Sequence, residues 1–293
     1  MVTATGVLER RDLVALETRL LQVPEGELVG RKLFHNNTSI NPGAESYGYD
    51  IMTRTGVAKF IANGSTELPL VDVDFTRAFN PLVSIGAGAQ WTLQELRAAS
   101  MAHVPINAAK IDTVRRAMSE KEDKLIFVGA PELGIKGITN AEGIQVVPSS
   151  AKWSTMTPEK IVDQIGSARK LAKKMPGFEQ ASYVLILPTD QFEDISRIRY
   201  NDYEPKTILQ IIQGYNWFTQ IISTQAMSGT GDGGSDAALI ANNADDVCEI
   251  LVASDVTLLQ QENYSLFTKQ GAEARVGGAA VRIPYQFVRI DGI

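Results

Sequence analysis

Few residues in this chain carry chemistry, and their spacing matters more than their number. Histidine occurs twice, at His35 and His103, and cysteine once, at Cys248. Neither histidine has a Cys, Asp or Glu at ligand spacing, and one thiol cannot build a structural zinc site. Cys248 stands between Val247 and Ile250 in a strand-like run, which predicts a buried, inert thiol rather than a nucleophile. Asp72-Val73-Asp74 offers two carboxylates two residues apart. On a strand they share one face while Val71, Val73 and Phe75 take the other, so they read as surface charges that keep a strand soluble.

The glycine-rich run Ser228-Gly229-Thr230-Gly231-Asp232-Gly233-Gly234-Ser235 resembles a phosphate cradle only in composition. No Lys followed by Ser or Thr comes after it, the dinucleotide glycine register fails, and Asp232 and Asp236 do not match a calcium loop. It is expected to be a mobile surface loop. No Gly-x-Ser-x-Gly elbow is present. Three Asn-x-Ser/Thr triplets, at Asn36, Asn63 and Asn263, match the glycosylation pattern by chance. The sequence therefore assigns no catalytic, cofactor-binding or metal-ligating residue, and no cofactor.

The elements around these residues are more informative. Val71, Val73 and Phe75 alternate with Asp72, Asp74 and Thr76, the period of a strand with one apolar face. Ile51 to Ala62 is also rich in strand formers, and Asn63-Gly64 between the two runs signals a hairpin turn. Arms of ten residues would reach roughly 33 Å. So long a hairpin needs a surface to lie on, its own body or a neighbour.

Upstream, Leu8, Leu13, Leu16 and Leu20 predict an amphipathic helix ended by Pro24 and Gly26, followed by an extended arm to residue 46. Thr92 caps a helix that Pro105 interrupts, and a second piece runs from Asn107 to about Lys121 with Val114, Ala117 and Met118 inward. Leu125 to Val128 reads as a short strand, and 129–137 as a loop punctuated by glycine.

Thr157-Pro158 opens a helix with Ile161, Ile165, Ala168 and Leu171 at helical spacing, and Gly177 stops it. Tyr183 to Leu187 is apolar throughout, as a strand buried on both faces would be. Short helices are expected near 190–197 and 205–213. Strands are expected near 217–222, 237–241 and 248–253, and a last one over 279–290 in which Pro284 marks an edge.

Composition limits the class of function. The chain has 293 residues, 44% hydrophobic and 21% charged, enough for one large domain or two ordinary ones. No apolar run approaches the ~20 residues a membrane span needs. Residues 1–11 hold no apolar signal core, because charges arrive at Glu9, Arg10 and Arg11, so a soluble product made in a cytoplasm is expected. The net charge is −6. The densest basic region reads as Lys110 to Lys124, where Asp112, Glu120, Glu122 and Asp123 make it a solvated mixed-charge helix face. That balance argues against a protein that grips DNA along its backbone, and so against sequence-specific nucleic-acid binding as well.

The order of arm, long hairpin, long helix and α/β domain resembles the major capsid proteins of tailed phages, whose Hong Kong-type fold encapsulins share. The resemblance rests on Gly43 to Tyr47 leading into Tyr49-Asp50, on Gly56 to Lys59, and on Leu68 to Val73. It continues in Gln94 to Ala99, Glu120 to Gly129, Gly134, Gly137-Ile138, and the closing Ile283-Pro284 to Ile293. It implies an α+β fold with an N-terminal arm over 1–46 and an extended β-hairpin loop with flanking peripheral-domain strands over 47–91. A spine helix and peripheral domain over 92–140 follow, then an α/β axial domain over 141–260 and a C-terminal return to the peripheral domain over 261–293.

The implied role is a non-enzymatic subunit that self-assembles, through pentamers and hexamers, into an icosahedral shell around a double-stranded DNA genome. An encapsulin-like compartment around a cargo enzyme is the nearest variant. A soluble α/β enzyme with a lid-like hairpin is the rival outside the family. The resemblance places the chain in a virion capsid, with scaffold, portal or decoration proteins as further partners and no membrane. Some capsids of this fold cross-link a hairpin lysine to a partner asparagine; the position of Lys59 alone does not establish such a bond here.

Overall fold

The computed structural model describes residues 28–58, 60, 70–102, 106–201, 203 and 205–293. The expected helix over 8–23, Lys59, the Asn63-Gly64 turn, His103 and Pro105 lie outside the described residues.

The described chain opens with a short helix α1 (Gly30–Leu33) and strand β1 (His35–Asn37). Residues 28–37 are packed on the body: β1 pairs in parallel with a strand 214 positions on, His35 opposite Glu249, and Val29, Leu33 and Phe34 are buried. The hairpin follows as β2 (Ser46–Thr55) and β3 (Asp72–Pro81), ten residues each. Their antiparallel register runs from Ser46 opposite Pro81 to Thr55 opposite Asp72.

Strand β4 (Val83–Thr92) leads into helix α2 (Leu93–Ala102). Thr92 closes a capping box there: the Glu95 amide donates to Thr92 Oγ1 at 3.2 Å, and the Thr92 amide donates to Glu95 Oε2 at 2.9 Å. Helix α3 (Ile106–Phe127) resumes beyond the expected break. It absorbs Leu125 to Phe127, so the strand expected there is the last turn of a helix. Leu125, Ile126 and Phe127 are all buried, and an apolar run so short carries no period to separate helix from strand. Val114 and Met118 face inward as expected, whereas Ala117 is exposed. Glu122 and Asp123 are buried, so this end of α3 is not a solvated face.

A small hairpin, β5 (Gly129–Ala130) and β6 (Ile135–Lys136), turns the chain toward β7 (Gln145–Pro148). Helix α4 (Pro158–Lys173), β8 (Tyr183–Leu187), α5 (Thr189–Arg197), α6 (Ile208–Gly214), β9 (Gln220–Ser223) and β10 (Ala237–Asn242) come next. The chain ends with β11 (Cys248–Leu258), β12 (Glu262–Asn263), β13 (Phe267–Val281) and β14 (Phe287–Asp291). The single closing strand expected over 279–290 is therefore two. Pro284 sits in a 3-10 turn between them, and β14 is an interior strand.

Two five-stranded sheets organise the core. In the first, β13 is central, with β4 on one side and β11, β12 and β1 on the other. The second has the order β7-β14-β10-β8-β9, with parallel pairs at both edges and antiparallel pairs inside. Strand β11 belongs to the first sheet and β14 to the second, so the boundary at residues 260 and 261 does not coincide with the division between sheets.

Period two along β8 explains its uniform hydrophobicity. Tyr183, Leu185 and Leu187 meet Ile161, Ile165 and Ala168 of α4 and Ile208 and Ile212 of α6. Val184 and Ile186 turn to the other side, toward Phe127, Ile138 and Ile250.

Leu185 is fully buried in the second sheet. Leu185→Asp is expected to leave insoluble protein, because an unpaired buried carboxylate costs several kcal/mol. The soluble fraction on expression, compared with Leu185→Met, measures it.

Candidate assembly surfaces

In an antiparallel pair, residues directly opposite share a face. The register therefore puts Val73, Phe75 and Phe79 with Met52 on one face of the hairpin, with Arg54 and the Asp50–Arg77 pair among them, and Val71 continues the alternation just before β3. The other face carries Asp72, Asp74 and Thr76 with Thr53 and Thr55, and Tyr47 and Tyr49 near the root. This is the alternation read from the sequence, but the apolar face is not buried. Phe75 is 70% exposed, Phe79 64% and Val71 69%. The tyrosine face is the one that touches the subunit, where Tyr47 and Tyr49 pack on Ile40, Leu82 and Leu251. The hairpin hangs on its root with its apolar face turned away from its own body.

Polar contacts fix that root. Asn80 Nδ2 donates to the Ala279 carbonyl at 3.3 Å, and the Leu82 amide to the Glu45 carbonyl at 2.9 Å. Arg275 donates from Nε and Nη2 to the Ala44 carbonyl at 3.1 and 2.7 Å. Arg282 is the hub: its Nη2 bonds Glu249 and, at 3.2 Å, the Tyr47 hydroxyl, its Nη1 reaches the Asp245 carbonyl, and its guanidinium lies 5.7 Å from the Tyr49 ring centroid. Burial pushes the Tyr49 phenol up, against the pull of Arg282. Higher on the shaft, Arg77 grips Asp50 with two bonds of 2.6 and 2.9 Å and holds that carboxyl below its usual range.

A second charge cluster, built on the buried Glu122 and Asp123, anchors α1. Arg31 Nε bonds Glu122 at 2.7 Å and its Nη1 bonds Asp255 at 2.6 Å. Asp123 accepts from the Gly30 amide at 2.8 Å. Burial lifts the Asp123 carboxyl above its ordinary range, and the bonds from Gly30 and Val29 only partly offset that. Such long-range pairs leave no local trace in the sequence; the signal was limited to acidic residues in a helix that otherwise reads as exposed.

The chemistry-bearing residues do not converge. His35 is exposed, with Nδ1 3.9 Å from an Asp245 carboxylate oxygen. Cys248 is buried, and burial pushes its thiol far up. Among the described residues, no three His, Cys, Asp or Glu side chains gather to hold a metal ion. The glycine-rich loop, expected to be mobile, is tied down instead. Asp236 accepts from the Gly229 amide and Gln191 Nε2, both at 2.9 Å, and the Asp232 amide donates to Asp291 at 3.3 Å. What the arrangement offers is surface.

Comparison with known proteins bears on that surface. A family model described as major capsid protein matches residues 56–293. The type 1 encapsulin shell protein EncA of Myxococcus xanthus is 23% identical over 208 residues, 71% of this chain and 69% of its own. The capsid of Myoviridae phage XM1 superimposes with a TM-score of 0.86 at 11% identity, covering 99% of this chain and 100% of that one. A virus-like particle from Pyrococcus furiosus gives 0.64 at 16% identity, over 89% and 91% of the two chains. At those identities the likeness is one of fold, and it is the capsid fold expected from the sequence.

The raised Asp123 carboxyl has a sign that can be tested. A carboxyl whose folded pKa lies above its unfolded value destabilises the fold when ionised, and the penalty vanishes as pH falls through the folded pKa. Asp123→Asn is expected to match or exceed the wild type in denaturation midpoint at pH 7. Its advantage should shrink as pH drops toward 4. Urea midpoints across that range measure it, and an advantage that grows on acidification would contradict the assignment.

Proposed function

The chain belongs to the major capsid protein family, and on that premise we propose that it is the structural subunit of a tailed-phage capsid, self-assembling into an icosahedral shell around double-stranded DNA. One observation carries the reading: the apolar face of the hairpin is unburied within its own subunit. Fully burying side chains such as Phe75, Phe79 and Val71 is worth about 1.5–3 kcal/mol each. Only another copy, repeated by symmetry, supplies that burial at every subunit. Many such contacts close a shell even when each alone is weak.

In this reading the first sheet and α3 form the peripheral part of the subunit and the second sheet the axial part, grouped into pentamers and hexamers. The protein works through interfaces, without catalysis, and resides in the virion after synthesis in a bacterial cytoplasm. Scaffold, portal or decoration proteins are partners compatible with it.

An encapsulin-like compartment is the second reading, favoured by the similarity to the Myxococcus xanthus shell protein. Size-exclusion chromatography followed by electron microscopy separates the cases. Megadalton shells with DNA and a tail vertex support the phage capsid, shells filled with an enzyme support the compartment, and a monomer or small oligomer overturns both.

Replacing residues 57–70 with a short Gly-Ser turn tests the hairpin itself. The expected product is a soluble subunit whose thermal unfolding stays within a few degrees of the parent and which forms no megadalton particles. Intact shells from the shortened chain would refute the assembly role.

A further inference from the structure

The C-terminal half of α4 carries a basic run denser than the Lys110–Lys124 region: Arg169, Lys170, Lys173 and Lys174 fall within six residues without an acid. None of the four meets a carboxylate within ion-pair distance among the described residues. The bond of Arg169 goes to the Trp217 carbonyl, from Nε at 3.0 Å, and that of Lys173 to the Glu179 carbonyl at 2.9 Å. Burial pulls both cations down from their ordinary ranges, and Arg169 adds to the effect on Lys173. Basic residues suit the last turn of a helix. That preference does not account for a guanidinium that is partly desolvated and not neutralised.

Beside these cations stands an aromatic platform. The Tyr215 and Trp217 rings stack with centroids 4.7 Å apart and planes inclined by 20°. Asn216 between them has φ 51°, a left-handed conformation that brings the two flanking side chains together. Arg169 lies 5.9 Å from the centroid of the Trp217 ring. Gly166 clears the ground beneath: a Cβ there would lie 2.9 Å from the Trp217 ring edge, so only glycine lets the indole settle on the helix. Tyr215 is 52% exposed.

We propose that Arg169, Lys173 and the Tyr215–Trp217 stack form a sequence-independent site for single-stranded nucleic acid. An unpaired base stacks on Tyr215, and the flanking phosphates meet the guanidinium and ammonium groups. A duplex would present phosphates but no open base face, leaving the aromatic platform unused. An acidic peptide would engage the cations alone. The exposed ring beside cations without acidic partners is what favours the single strand.

The test is fluorescence anisotropy of a labelled twelve-residue oligothymidylate with the full chain at about 50 mM salt, in assembled and dissociated forms. A blunt duplex of the same length and polyglutamate serve as competitors. Saturable binding is expected in at least one form. Tyr215→Ala should weaken it at least about fivefold and Tyr215→Phe should restore it. Arg169→Gln with Lys173→Gln should reduce the salt slope by about 1.4, from two phosphates at about 0.7 each. Thermal melting confirms that these surface variants fold. No binding in either form, equal affinity for the duplex, unchanged affinity in Tyr215→Ala, or equal competition by polyglutamate would each overturn the assignment.

Discussion

Strand β13 is the constraint on which the subunit is built. It pairs with β4 along one side and with β11 and β12 along the other, while α3 lies across it. Ala272 and Ala274 face Val114 and Met118 of that helix, with Ala87 and Ala89 of β4 alongside. Their small side chains let a helix approach a sheet this closely. Gly278 serves the same purpose further on, where a Cβ would lie 3.3 Å from the Leu125 carbonyl oxygen of α3, while Gly277 makes room for Leu82, 2.8 Å from where its Cβ would stand. The hairpin root hangs from the Ala279 carbonyl, and Arg275 on the same strand holds Ala44. One strand therefore fixes the helix, both neighbours and the angle at which the hairpin leaves the body.

That arrangement separates folding from association. The buried cores close within one subunit and use no residue from the apolar face of the hairpin. The exposed face contributes little to the fold, and the fold serves mainly to present it. Edge protection follows the same division: the two-stranded hairpin bears Asp72, Asp74 and the Asp50–Arg77 pair, charges that discourage indiscriminate strand pairing without blocking a shaped partner.

The sequence made much of this legible where one local pattern determined the outcome. Tyr183 to Leu187 had one reading because five consecutive apolar residues between breakers suit a doubly buried strand. Thr92, Pro158 and the alternation after Leu70 were equally local. The alternation told which residues share a face but not whether that face meets its own subunit. Strand β4 was hidden because Gly86-Ala87-Gly88-Ala89 lacks strand-forming side chains; the demand for small residues comes from α3, which local pattern does not contain. Arg31 with Glu122, Arg282 with Glu249, and Tyr183 with Gln286 are separated by 91, 33 and 103 positions. Pairs like these are selected by the finished fold.

The pairing of distant segments also sets a schedule for synthesis. Strand β1 awaits β11, more than two hundred residues later, and the second sheet keeps a gap between β7 and β10 until Phe287–Asp291 arrives. A ribosome adding about 5–20 residues per second completes the hairpin many seconds before its supporting strand β13 exists. Nascent chains on neighbouring ribosomes thus expose the sticky segment while its root is still unanchored and unable to dock at a fixed angle. The last strands made are therefore the ones that fix the angle at which the first exposed surface is presented.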